Sequence, residues 1–121
     1  MRLALLAVLV WAAPVAAQTV VVTAQGETVP VGTANDDAAD DPAIWRNARK
    51  PERSLIVATD KKAGLYVYGL DGKVKGFTAA GRVNNVALVD MGRSGVIVAA
   101  SDRNDESRAL IQFYRLDTKS G

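Results

Sequence analysis

Four carboxylates fall within six residues at Asp36, Asp37, Asp40 and Asp41, followed at once by Pro42, Ala43, Ile44 and Trp45. Carboxylates this close repel one another unless positive charge is held between them, and a hard cation with oxygen ligands, calcium above all, suits such a donor set. The competing reading is a solvated acidic turn, because Asp favours loops and Pro interrupts regular structure. The other polar groups of interest are the cations Lys61, Lys62 and Arg103 and the paired amides Asn84 and Asn85. Lys, Arg and Asn facing clustered carboxylates is the composition of a phosphate site with bridging metal, although each element alone is unspecific. A Lys-Lys pair usually marks a solvated loop, and Asn-Asn usually a turn.

The missing residue types narrow the chemistry. Among 121 residues there is neither His nor Cys. That excludes a Ser-His-Asp triad, a phosphohistidine or phosphocysteine intermediate, and a His/Cys zinc site within this sequence. Hydrolysis here would have to rely on carboxylates, basic side chains and a hard metal.

Met1-Arg2 gives a positive start, Leu3 to Ala13 is uninterruptedly apolar, and Val15-Ala16-Ala17 ends the run with small residues. Residues 1–17 therefore read as a secretory signal peptide, too short for the roughly 20 residues that span a bilayer. The expectation is an exported chain, secreted or periplasmic, without a membrane anchor. Without Arg2 there are 14 basic and 13 acidic side chains. So near-neutral a balance offers no field for nucleic acid or a membrane surface. An exported chain without cysteine has no disulfides to stabilise it, and bound metal is one substitute.

The elements that must position these groups read as all-β. Residues 18–35 form an exported leader or a first strand, with Thr19 to Thr23 as its β-branched run. Ser54 to Thr59 is a short apolar strand, and Gly64 to Leu70 alternates Leu65 and Val67 against Tyr66 and Tyr68. Asp71-Gly72 signals a hairpin. Val74 to Phe77, Val83 to Val89, Gly95 to Ala100 and Ala109 to Leu116 complete the set, and nothing shows a helical period.

The pattern repeats. LIVATDK from Leu55 corresponds to IVAASDR from Ile97, and YVYGLD from Tyr66 to QFYRLD from Gln112, with offsets of 42 residues at Asp60/Asp102 and 46 at Tyr68/Tyr114. A four-stranded propeller blade has a period of roughly 40 to 50 residues. A generic meander built from a duplicated strand–loop–strand unit remains the alternative. Either way, Lys61-Lys62 and Arg103 occupy equivalent points and would come to the same end of neighbouring units.

DDAADDPAIW at Asp36 to Trp45, ATDKKAGLYVYGLDG at Ala58 to Gly72, GRVNNV at Gly81 to Val86 and AASDR at Ala99 to Arg103 resemble the opening of β-propeller phytases, in the same order and at similar spacing. The resemblance runs over residues 36–121. It implies roughly two blades of a six-bladed β-propeller, incomplete in this chain. It also implies a calcium-dependent phosphomonoester hydrolase of the 3-phytase type, releasing phosphate from phytate (myo-inositol hexakisphosphate) or its calcium salt by metal-activated water. In that family Asp40 and Asp41 would bind calcium, Asp40, Lys61 and Arg103 would be catalytic, and Lys61, Lys62, Asn84, Asn85 and Arg103 would bind substrate phosphates. Full-length members are expected to be monomers, and this chain alone is expected to be inactive, with unpaired strand edges that favour aggregation.

One position departs from the pattern: the family usually continues NNVD, and here Ala87 stands at the carboxylate position. Either a ligand is lost there, the favoured reading, or Asp90 replaces it through a shifted register. The alternative function is a non-catalytic secreted propeller module that binds calcium and polyanions.

Overall fold

The computed structural model describes residues 19–33 and 37–121. The expected signal peptide (1–17), Gln18 and Asp36 lie outside the described residues. Seven strands follow one another: β1 (Ala39–Trp45), β2 (Leu55–Asp60), β3 (Gly64–Gly69), β4 (Val74–Ala79), β5 (Val83–Asp90), β6 (Val96–Asp102) and β7 (Leu110–Leu116). Among the described residues the only helical elements are two single 3-10 turns, Pro51–Arg53 and Gly92–Ser94. No helix among them is long and apolar enough to cross a membrane. The strands make two antiparallel sheets, β1-β2-β3-β4 and β5-β6-β7.

Alternation explains most of this. β6 buries every second residue, Val96, Val98, Ala100 and Asp102, which sets one face against the first sheet. The expected hairpin after β3 forms at Asp71-Gly72, where Gly72 adopts φ 75° and its N–H donates to Gly69 O at 3.0 Å. A Cβ at Gly72 would also run into Glu27 O, so glycine is required twice over.

Strand β1 stands where the competing reading put a solvated acidic turn. Ala43 and Trp45 turn inward against the core while Ile44 is 62 % exposed, and Pro42 sits on an edge strand beside an irregularity of register. Those are the places where a sheet tolerates proline. The first-strand alternative for Thr19 to Thr23 does not form: residues 19–30 carry no strand pairing, and Val20, Val21 and Val22 are exposed. Residues 29–33 instead lie along the first sheet. Val29 N donates to Gly72 O at 3.0 Å, Gly32 N to the Tyr66 hydroxyl at 3.0 Å, and the Thr33 hydroxyl to both Asp60 oxygens at 2.6 and 2.7 Å.

The core lies between the sheets. Leu55, Val57 and Leu65 of the first meet Val83, Val86, Val96, Val98, Ala100 and Leu116 of the second. Burying a Val or Leu side chain contributes roughly 1.5–3 kcal/mol, against roughly 0.5–1.5 net for a hydrogen bond. Apolar packing therefore holds the sheets together, and polar links set their register. Among the described residues, two such links join β1 to β5. Asp41 Oδ2 accepts from Val86 N–H at 2.9 Å near the start of β1 and β5, and Trp45 Nε1 donates to Asp90 Oδ2 at 2.8 Å at their far ends. β1 and β5 thus run side by side in the same direction.

The structure extends the sequence repeat to individual hydrogen bonds. β1, β2 and β3 correspond to β5, β6 and β7. Lys61 N–H donates to Ala38 O at 2.8 Å, and Arg103 N–H donates to Arg82 O at 2.7 Å. Asp60 and Asp102, each at the end of its strand, are both buried.

Candidate functional site

At the shared starting end of β1 and β5, each strand carries one extra residue. In the first sheet Ala39 pairs with Asp60 and Pro42 with Ala58, so Asp40 and Asp41 together oppose Thr59. In the second, Val83 pairs with Asp102 and Val86 with Ala100, so Asn84 and Asn85 oppose Ser101. These are β-bulges, which re-aim side chains at the edge of a sheet. The acidic pair and the amide pair therefore occupy equivalent positions, 44 residues apart.

The first bulge brings Asp40 to Lys61. Lys61 Nζ lies 2.7 Å from Asp37 Oδ2 and 3.5 Å from Asp40 Oδ1, its side chain only 15 % exposed. The bond from Lys61 holds the Asp37 carboxyl below the usual range, and the same bond raises the Lys61 ammonium above its own. Asp41 faces the second sheet, with Oδ2 committed to Val86 N–H. Its own N–H donates to the Thr59 hydroxyl at 3.0 Å.

In the second bulge, Asn84 Nδ2 donates to Asn85 Oδ1 at 3.0 Å, and Asn85 N–H donates to the Ser101 hydroxyl at 3.0 Å. The Asp41–Val86 bond sets the two bulges next to each other across the sheet boundary. Lys62 is exposed, and its backbone N–H donates to Asp60 Oδ1 at 3.0 Å. Arg103 is half-buried, with Nη2 donating to Val83 O at 3.3 Å. Its Nε is buried without a hydrogen-bond partner. A buried donor left unmatched in a charged group calls for an acceptor, and an anion is the natural one.

Ala87 pairs with Ala99 in regular register, and Asp90 sits at the far end of β5. There Asp90 accepts from Trp45 Nε1 and Gly92 N–H, which lower its carboxyl in that order. It does not substitute for a carboxylate at position 87.

Several residues that shape the site were not among the site candidates read from the sequence. Asp37 is the closest partner of Lys61. Thr59 and Ser101 bind the bulges, and they stand at matching places in the repeat. Asp60 and Asp102 anchor the turns that carry Lys61-Lys62 and Arg103. Asp102 accepts from Asn104 N–H at 2.8 Å and from Gln112 Nε2 at 2.5 Å, which lower its carboxyl in that order.

The donors offered are hard oxygens: the Asp40 carboxylate, the remaining oxygen of Asp41, and amide carbonyls. They suit calcium in kind, and calcium takes 6–8 oxygens. Among the described residues no group of three or more acidic, His or Cys side chains is placed to hold a metal ion. A cleft of about 920 Å³ lies at the opposite end, lined by Trp45, Arg53, Leu55, Lys75 and Lys119 among others. It holds none of the residues of the bulges. A groove of about 600 Å³ does reach Ser101, Asp102 and Arg103.

Comparison with known proteins places this geometry in context. The family model described as Phytase matches residues 2–121. The chain is similar to the 3-phytase of Bacillus subtilis (strain 168), 44% identical over 103 residues, which is 83% of this chain and 27% of that protein. The chain thus spans about a quarter of the length of that curated relative.

Proposed function

This chain belongs to the phytase family, and from that membership we propose that the protein hydrolyses phosphate monoesters of phytate with calcium as cofactor, after export. The two stacked sheets are then two blades of a six-bladed propeller, with the bulged ends of β1 and β5 turned to the substrate. The single observation that carries the reading is the pairing of an acidic bulge with an amide bulge beside Lys61 and Arg103. That arrangement offers both signs of charge within one edge of the fold.

In this reading Asp40 and the uncommitted oxygen of Asp41 hold calcium, with Asn84 and Asn85 lining the same cleft. Bound calcium supplies charge compensation for phosphate oxygens and makes water a better nucleophile at neutral pH. The remaining work belongs to the chain. Arg103 presents its guanidinium to a phosphate oxygen, a charge-assisted bond that orients the ester. Lys61 exchanges Asp37 and Asp40 for phosphate as the substrate enters, bringing positive charge to where negative charge develops. Lys62, on the exposed side of the same turn, binds a further phosphate of the polyanion. No covalent enzyme intermediate is required, which suits a sequence without His or Cys.

The test is phosphate release from phytate by the full-length protein with calcium and with chelator. Release abolished by chelator and restored by calcium supports the reading; full activity in chelator refutes it. Calcium uptake without any release identifies the binding-only module instead, the reading favoured by Ala87.

A further inference from the structure

An extra residue in one strand of a ladder leaves its backbone out of step with the partner strand, and a bulge of this kind can sit one position earlier or later along the strand. In β1, moving it would change which residues occupy the re-aimed pair. Both sheets carry the same device against such drift. The Thr59 hydroxyl accepts from Asp41 N–H at 3.0 Å, and the Ser101 hydroxyl accepts from Asn85 N–H at 3.0 Å. Each hydroxyl lies on the strand opposite, at the single residue that the bulged pair faces. Thr59 is fully buried, at 0 % exposure. A buried threonine at a core strand position where valine would pack equally well points to a task for its hydroxyl. The device recurs at matching places of the repeat, in two sheets with different bulged residues.

We propose that Thr59 and Ser101 are positioning residues: their hydroxyls fix which two residues occupy each bulge, and so aim Asp40–Asp41 and Asn84–Asn85 at their ligands. The proposal rests on the reading of those pairs as ligand-bearing. Each hydroxyl acts through the backbone of the second residue of its pair, accepting from its N–H, and the Thr59 hydroxyl also donates to Asp41 O at 3.4 Å. The device also predicts interchangeability. Serine performs in the second sheet what threonine performs in the first, so exchanging them should leave the clamp intact.

The experiment uses the full-length protein and four variants, Thr59→Val, Thr59→Ser, Ser101→Ala and Ser101→Thr. Terbium luminescence titration reads the cation site without reference to turnover, and phytate kinetics read KM and kcat separately. Loss of outer-shell support commonly weakens a metal site by 10–100-fold. Thr59→Val should therefore weaken terbium binding by about tenfold or more, with Thr59→Ser within about twofold of wild type. Ser101→Ala should raise the KM for phytate by about tenfold, with terbium affinity retained and Ser101→Thr restoring KM.

Terbium binding by Thr59→Val as tight as wild type overturns the proposal. So does a Thr59→Ser protein as impaired as Thr59→Val, since packing rather than the hydroxyl would then be responsible. If Thr59→Val fails to fold, the Ser101 pair decides by the same comparison of removal with rescue. Wild-type protein that takes up no terbium also overturns the proposal, whereas terbium uptake without phytate hydrolysis overturns only the phytase reading.

Discussion

Replacing Asp41 by alanine would separate two jobs that one side chain performs. Asp41 Oδ2 accepts the Val86 N–H at 2.9 Å and so ties β1 to β5. Val86 is 7 % exposed, and in Asp41→Ala its amide would face the sheet boundary without an acceptor. A buried donor left unsatisfied costs roughly 1–3 kcal/mol. The lost side chain packs little, since Asp41 is only half-buried, so the hydrogen bond dominates the estimate. Asp41→Asn keeps a carbonyl oxygen for the same N–H and should lose less than about 1 kcal/mol. Asparagine already occupies the equivalent position 85 in the second sheet.

Urea denaturation, followed by the fluorescence of Trp45 at the same sheet boundary, measures both variants. Terbium affinity should fall in both, because both remove the charge, while stability falls chiefly in Asp41→Ala. An Asp41→Ala protein as stable as wild type would refute the inter-sheet role. So would equal destabilisation by Asn and Ala, because the acceptor would then be irrelevant.

Three further outcomes are expected. Lys61→Ala and Arg103→Ala should each reduce kcat/KM for phytate by about ten- to a hundredfold, the range for losing a charge-assisted bond to phosphate; wild-type kinetics in both would remove them from the site. Gly64→Ala should destabilise by roughly 1–3 kcal/mol, because φ 143° suits only glycine and a Cβ would meet Thr78 O; an unchanged denaturation midpoint would contradict that. The Asp102 carboxyl titrates below its ordinary value of 3.8 through bonds from Asn104 and Gln112. Its stabilising contribution is therefore complete above about pH 5 and is lost as pH falls through the lowered value. Asp102→Asn should flatten that part of the acid-unfolding curve, and an unaltered curve would exclude the linkage.

Strands whose side chains follow strict alternation were legible in the sequence, and so was the correspondence of Lys61 with Arg103. β1 was not, because four carboxylates and a proline mask the inward step of Ala43 and Trp45. Laying Asp40-Asp41 over Asn84-Asn85 at 44 residues would have exposed it, since β5 carries the same frame without proline. The acidic and basic candidates were legible as types. Their partners were not: that Asp37 rather than Asp41 would hold Lys61, or that Asp41 would spend an oxygen on Val86, depends on sheet stacking that no local pattern encodes. Thr33 against Asp60 is a contact across 27 residues from a stretch without strand periodicity. Only the fold brings it about.

The bulges have one more consequence, best seen as a dislocation in a lattice. In β5 the buried residues are Val83 and then Val86, with Leu88 partly buried after it. The inward parity changes from odd to even at Asn84-Asn85. On either side the two-residue beat is intact; across the pair it skips. In β5 the skip lets two polar side chains stand at the sheet's edge while both neighbours stay inside, so neither amide has to enter the core. A beat that resumes in opposite phase across two polar residues is thus itself a signature that can be sought in other β-rich sequences, ahead of any motif.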